Sequence, residues 1–340
     1  MPRPRPIALL ATVAALGLSG CDAGNADLPV DEGAGAAAQI ARAQQDALEA
    51  KAGAPVVQAE ADGSPSLQVA NGPVAPSIPP TPLAVKLDDI SDPVVAKFDK
   101  PPRAGLLFDL DTGEVLWRRN ALRRLPIASV TKTMTALIAA REIEPGTRIR
   151  ISRRARGRPG SRIGILPKKR TVGVSALLNG LMLVSGNDAA VALAEEVSGS
   201  VEDFVALMNE TAQEMRLSCT SFASPDGLDD TGYSCPQDLA ALARAALDEP
   251  RVAEIVKRPR AVLPFPTKGG KLYLYTHNPL LKAAYRGTLG IKTGYTRTAG
   301  RCFLGAAERD GRRLGVVLLH SPNPGRQAQV LLNRGWRATS

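Results

Sequence analysis

The chain has 340 residues, 44% of them apolar and only 4% aromatic, with 43 basic against 33 acidic side chains. That length allows one large or two ordinary domains, and the composition suits an Ala/Leu/Val-rich core while excluding a multi-pass membrane protein. The net charge of +10 is unevenly divided: residues 22–98 carry 4 basic and 11 acidic groups, residues 99–340 carry 37 and 22, so an acidic segment precedes a basic body.

Residues 1–20 begin with Arg3 and Arg5 and continue into an apolar run over 7–18 that is too short to span a bilayer comfortably, followed by small residues. This is the pattern of an export signal. Leu18-Ser19-Gly20-Cys21 resembles the bacterial lipobox. That resemblance implies that Cys21 becomes a lipidated N-terminus in the cell envelope, with Asp22 favouring the inner membrane and the body facing the periplasm. Residues 21–98 are rich in alanine, glycine, proline and acids, with the cluster "GPVAPSIPPTPL" near their end. They read as a disordered tether with an end-to-end distance of roughly 50 Å.

The body is expected over residues 99–340. "AGLLFDLDTGEVLWRRN" reads as a hairpin turning at Asp111-Thr112-Gly113. In "IASVTKTMTAL" (127–137) and the isoleucine after it, Val130, Met134, Leu137 and Ile138 fall at the spacing of a buried stripe, which predicts an amphipathic helix. Ser129 and Lys132 share another face at its mouth. Taken alone, this S-x-x-K fits a helix cap and a solvated charge as well as it fits a nucleophile and its base. Residues 148–170 hold ten arginines and lysines and no acid. They read either as a solvated, self-repelling loop or as a surface drawn to anionic head groups or acidic wall polymers. Helical patterns follow over 175–216, then the loop "SPDGLDDTGYSCP" (224–236) and a helix over 237–247. "GTLGIKTG", "AGRCFLGAAE" and "RRLGVVLLH" read as successive strands and "PGRQAQVLLNRGW" as a closing helix. Strands at both ends with helices between them predict one sheet built from the two termini of the body.

Ser185-Gly186-Asn187 stands 56 residues after Ser129, and Lys292-Thr293-Gly294 a further 107 on. S-x-x-K, S-x-N and K-T-G in that order are the active-site elements of penicillin-binding proteins and serine β-lactamases. With "SGNDAAVALAE", "FASPDGL", "THNPLL" and "KTGYTRTAGRCF", residues 100–335 resemble the serine D-alanyl-D-alanine carboxypeptidases, the low-molecular-mass penicillin-binding proteins that trim peptidoglycan stem peptides. The resemblance implies an α/β chain of the α+β type with a transpeptidase fold: a mainly antiparallel sheet packed with helices, plus a helical subdomain. Many relatives carry a β-rich C-terminal domain and an anchor helix after the catalytic sheet; here neither is expected, and the lipid at Cys21 would take the anchor's place.

A serine hydroxyl needs a base within hydrogen-bond reach, and a lysine can serve when burial and a neighbouring cation such as Lys292 lower its pKa. The resemblance implies that Ser129 attacks the carbonyl between two D-alanines while Lys132 takes its proton. Ser185 would pass a proton to the leaving D-alanine, and Asn187 would orient Lys132 and hold the substrate amide. Lys292, Thr293 and Arg326 would meet the terminal carboxylate. The backbone N–H groups of Ser129 and Tyr295 would form the oxyanion hole, each worth about 3 kcal/mol. Gly294 would leave room for the substrate along the strand edge.

His277 and His320 are the only histidines, which argues against a Ser-His-Asp triad or a zinc site. His277, within "THNPLL", is open to a binding or a structural role. Cys219 and Cys235 flank the "SPDGL" loop and could be bridged, whereas Cys302, in an apolar run, reads as a buried free thiol. No cofactor, metal or nucleic acid is expected; the expected partners are stem peptides ending in D-Ala-D-Ala, β-lactams as covalent inhibitors, and a membrane through the lipid. A D,D-endopeptidase, a β-lactamase and a non-catalytic wall-binding lipoprotein are the alternatives. The E-x-x-L-N pattern that class A β-lactamases use to hold a hydrolytic water is absent between Asn187 and Lys292.

Overall fold

The computed structural model describes residues 83–88, 92–164, 166–168 and 170–338, all within one unit, Ala75–Ser340. The export signal expected over 1–20, Cys21 and most of the tether lie outside the described residues.

Strands β1 (Ala104–Asp109) and β2 (Val115–Arg119) form the expected hairpin. Its turn is held by the Asp109 carboxylate, which accepts the Asp111 and Thr112 N–H groups at 3.0 and 2.9 Å. Residues 83–88 and 92–98, which the composition assigns to the tether, lie against this hairpin. Lys86 N–H donates to Gly113 O at 2.8 Å, Val94 N–H to Leu116 O at 2.9 Å, and Asp92 pairs with Arg118 at 2.7 Å. These contacts cover backbone groups that the edge strand β2 would otherwise expose.

A 3-10 turn, Ala128–Thr131, leads into α1 (Lys132–Glu142). Every residue of α1 from Lys132 to Ala140 is buried and only Arg141 and Glu142 at its end are exposed, so these first nine residues have no solvent face. The expected amphipathic stripe is thus only part of a stretch buried on all sides. The basic stretch, expected to be irregular, contains β3 (Arg148–Arg150) and the short α2 (Arg153–Gly157), and β3 pairs with β4 (Thr171–Gly173) just beyond it. Helices α3 (Val174–Leu183), α4 (Asn187–Ser198), α5 (Val201–Glu214), α6 (Pro236–Asp248) and α7 (Pro250–Val256) build the helical part. A hairpin of β5 (Arg260–Pro264) and β6 (Lys271–Tyr275) follows, then the single turn α8 (Pro279–Lys282). Strands β7 (Thr288–Thr296), β8 (Gly300–Arg309) and β9 (Arg312–Leu319) precede the closing helix α9 (Pro324–Ala338).

The main sheet is wholly antiparallel with order β2-β1-β9-β8-β7, and β1 meets β9 in register from Ala104↔Leu319 to Asp109↔Leu314. Its two faces feed two cores: Leu106, Phe108, Val317 and Leu319 pack with the helical part, while Leu107, Leu314, Val316 and Leu318 pack with Leu331 and Leu332 of α9. Burial on both faces explains why these strands read as unbroken apolar runs rather than alternating ones. Strand β7 is an edge of the sheet. Among the described residues no helix is long and apolar enough to cross a membrane.

Candidate active site

Ser129 sits in the 3-10 turn, one residue after Ala128, whose φ of 49° lies in the left-handed region. It caps nothing, since no side chain closes the N-terminus of either the turn or α1. Lys132 opens α1 fully buried, and its Nζ lies 2.8 Å from Ser129 Oγ, 2.7 Å from Asn187 Oδ1 and 2.6 Å from Asp226 O. Burial drives the amine from the ordinary lysine value down to about 7; Asp226 opposes this shift, Arg158 adds to it and Asp188 opposes it. A neutral amine has two N–H donors and one lone pair. The Asn187 and Asp226 oxygens can only accept, so they take both N–H groups, which leaves the lone pair to accept the Ser129 hydroxyl proton.

Asn187 begins α4, and its amide is anchored at both ends: Oδ1 accepts from Lys132, and Nδ2 donates to Pro159 O at 2.8 Å. Each end keeps capacity for one further hydrogen bond. Ser185, buried at φ 62°, joins α3 to α4 and lines the cleft. From the edge strand β7 come the buried Lys292, whose Nζ donates to Thr293 O at 2.8 Å, and then Thr293 and Gly294. Burial first, and the Lys132 charge second, hold Lys292 well below the ordinary lysine range. A Cβ on Gly294 would lie 2.8 Å from Ile127 O and 3.0 Å from Ser129 N. The glycine therefore lets β7 press onto the turn that carries the nucleophile, a packing role distinct from the room for substrate expected of it.

Ser129, Ser185, Thr293, Gly294 and Tyr295 line one cleft of about 390 Å³, with Lys132, Asn187 and Lys292 buried beneath them. His277 lines it too; its backbone N–H donates to Leu183 O at 2.9 Å, and burial, then Lys292 and Lys282, lower its pKa. Arg326 lies in the first turn of α9 with its side chain exposed and does not line this cleft; Arg301, from β8, does. Cys219 and Cys235 form a disulfide with Cα atoms 5.9 Å apart, and Cys302 is a buried free thiol.

The segment that ties these pieces together lies within the basic stretch 148–170, where the charge pattern points to solvent or anionic surfaces and not to the site. Arg158, from the basic stretch, grips the fully buried Asp226 carboxylate with two hydrogen bonds, Nη2 to Oδ1 at 2.9 Å and Nε to Oδ2. Burial pushes the Asp226 carboxyl up, but Arg158 and then the Lys132 charge hold it below the ordinary range. Pro159 O and Ser161 O accept from Asn187 Nδ2 and Asn187 N, the latter at 2.7 Å, and Ile163 N–H donates to the Asp188 carboxylate at 3.1 Å. Gly227, at φ 71°, completes the arrangement: a Cβ there would lie 2.0 Å from Ala128 O. So residues 158–163, though exposed over 159–162, border the site through Arg158, the Pro159 and Ser161 carbonyls and Ile163, and Arg158 serves an internal partner.

A family model described as D-alanyl-D-alanine carboxypeptidase, Peptidase_S11, matches residues 96–323. The chain is 36% identical over 235 residues to the D-alanyl-D-alanine carboxypeptidase DacF of Bacillus subtilis, covering 67% of this chain and 60% of that relative. It is 36% identical over 225 residues to DacB2 of Mycobacterium tuberculosis, covering 65% of this chain and 76% of that relative. Among solved structures, a D-alanyl-D-alanine carboxypeptidase from Mycobacterium tuberculosis superposes with a TM-score of 0.67 at 33% identity, over 72% of this chain and 94% of the other. The Streptomyces K15 DD-transpeptidase gives 0.67 at 29% identity, over 72% of this chain and the whole of the other.

Proposed function

The chain belongs to the family of the D-alanyl-D-alanine carboxypeptidases, and on that premise we propose that it removes the terminal D-alanine of peptidoglycan stem peptides through an ester on Ser129. The observation that carries this reading is the buried Lys132 amine, its Nζ 2.8 Å from Ser129 Oγ and held between two oxygens that can only accept, Asn187 Oδ1 and Asp226 O. The proton moves from Ser129 Oγ to Lys132 as Oγ attacks the carbonyl between the D-alanines. The N–H groups of Ser129 and Tyr295 hold the developing oxyanion, each worth about 3 kcal/mol. Ser185 hands a proton to the departing amine, Asn187 keeps Lys132 aimed, and Lys292 and Thr293 receive the terminal carboxylate. Water then hydrolyses the ester.

Penicillin carries a carboxylate beside a strained amide and should enter by the same route. A fluorescent penicillin is expected to leave a band on a denaturing gel that persists for minutes and vanishes in Ser129→Ala, while a pentapeptide ending in D-Ala-D-Ala loses one alanine by mass. Rapid penicillin turnover without a band would favour a β-lactamase instead, and cleavage of cross-linked dimers in preference to the pentapeptide would favour an endopeptidase.

The body is proposed to be exported and held by lipid at Cys21, with residues 22–82 as tether; the lipobox-like Leu18-Ser19-Gly20-Cys21 supports this. Protein extracted from bacterial membranes should have the mass of a chain beginning at a lipidated Cys21. A water-soluble chain starting elsewhere would overturn the anchor.

A further inference from the structure

Beside the Ser129 cleft lies a second cavity of about 470 Å³, which shares Tyr295 and Arg301 with it. Its remaining charged or titratable lining groups are Lys100, Arg103 and His320, and no carboxylate lines it. Among the described residues none of Lys100, Arg103 and Arg301 is in an ion pair. This sets them apart from Arg118, Arg154, Arg158, Arg312 and Arg313, each of which meets a carboxylate.

The backbone under these cations is fixed. Lys100 O accepts from Gln327 Nε2 at 2.8 Å, and Arg103 N–H donates to Leu319 O at 3.1 Å. Arg301 stands opposite Tyr295 in the β7/β8 register, and its carbonyl accepts Ser321 N–H at 2.8 Å. Cations gathered around a concavity concentrate a positive field there, and the planar guanidinium fork matches a carboxylate.

The place of this cavity along β7 says which carboxylate. With the terminal carboxylate of a substrate at Lys292 and Thr293, a peptide lying on the free edge of β7 runs antiparallel to it, and its other end passes Gly294 and Tyr295. Each residue advances about 3.3 Å, so one or two residues before the D-Ala-D-Ala pair bring a side chain to Lys100, Arg103 and Arg301. We propose that this cavity is a subsite for an acidic side chain on the acyl side of the scissile bond, so that the enzyme prefers stem peptides bearing a free carboxylate there. The proposal rests on the carboxypeptidase reading given above.

Four peptides test it: acetyl-Gly-Xaa-D-Ala-D-Ala and acetyl-Xaa-Gly-D-Ala-D-Ala, each with Xaa as Glu or Gln. In at least one pair kcat/KM should be about tenfold higher for the Glu peptide, the size of one charge-assisted hydrogen bond. The doubly substituted Lys100→Gln, Arg103→Gln protein, altered only at exposed side chains, should lose that preference while cleaving the Gln peptides as before. Equal kcat/KM within both pairs, or a preference that survives the double substitution, would overturn the subsite and leave the carboxypeptidase reading standing. No release of D-alanine from any of the four would overturn that reading and the subsite with it.

Discussion

Ser129→Ala and Lys132→Ala should each lower kcat/KM for D-alanine release by about 10⁴-fold or more, and the double variant should be scarcely worse than either. The two residues act on one proton. Without Lys132 the Ser129 hydroxyl has no base, since its other contact, Asp226 O at 3.4 Å, belongs to an amide carbonyl. Without Ser129 the amine has nothing to activate. Lys132→Arg should fare no better, because a guanidinium stays charged at any working pH and has no lone pair to offer. Stopped-flow acylation by a penicillin and D-alanine release together measure the effect, and single-variant losses that multiplied in the double variant would mean that the residues work separately. The wild-type profile has a fixed sign. With the Lys132 pKa lowered to about 7 by burial, the base is neutral above that value, so acylation should level off above it and fall tenfold per pH unit well below it.

Arg158→Ala should shift that acid limb to higher pH and destabilise the fold. The Asp226 side chain is 0% exposed and Arg158 only 29%, so removing the cation strands a buried carboxylate, which costs about 3 kcal/mol or more. For a body of this size that lowers Tm by about 10 °C. Arg158 also helps to hold the Lys132 pKa down, whereas Asp226 raises it. Losing the guanidinium therefore raises the Lys132 pKa, and less of the amine is neutral at a given pH. Arg158→Ala combined with Asp226→Asn removes the stranded charge and should return Tm most of the way, with the acid limb shifted back toward lower pH. A melting point and pH profile unchanged in Arg158→Ala would show that the pair neither supports the turn at 224–228 nor sets the charge around the base.

The chemistry at Ser129 is legible in the chain because its units are local. A serine and lysine one helical turn apart remain so in any helix-forming context, and Asn187 and Lys292 carry their neighbours with them. The pairing of Arg158 with Asp226 has no such signature: 68 residues separate them, and nothing local distinguishes this arginine from the others of the basic stretch. Periodicity misjudged α1 because Thr133 and Thr135 read as polar positions. Both are buried, and Thr135 Oγ1 donates to Pro225 O at 2.6 Å. The chain-order reading assigns nothing to the β5–β6 hairpin, although Lys271–Tyr275 alternates exposed and buried residues as a half-buried strand should. Pro264 and Pro266 beside its partner strand mask the signal. The resemblance points to Arg326, whereas Arg301, which lines the cleft, sits within "KTGYTRTAGRCF" but outside K-T-G itself, where nothing local marks it as a cleft residue.

The pairing of β1 with β9, Ala104 against Leu319, has a consequence for how the molecule is made. Strand β1 is synthesised early, yet its partner arrives only with nearly the last of the body. Until then Leu106 and Phe108 have no neighbouring strand on that side, and a contact spanning so much of the chain closes slowly. The growing chain therefore stays open along this edge and completes its central sheet only after β9 has emerged. Premature termination before Arg312 would release a hairpin with a bare apolar edge, a species prone to aggregate.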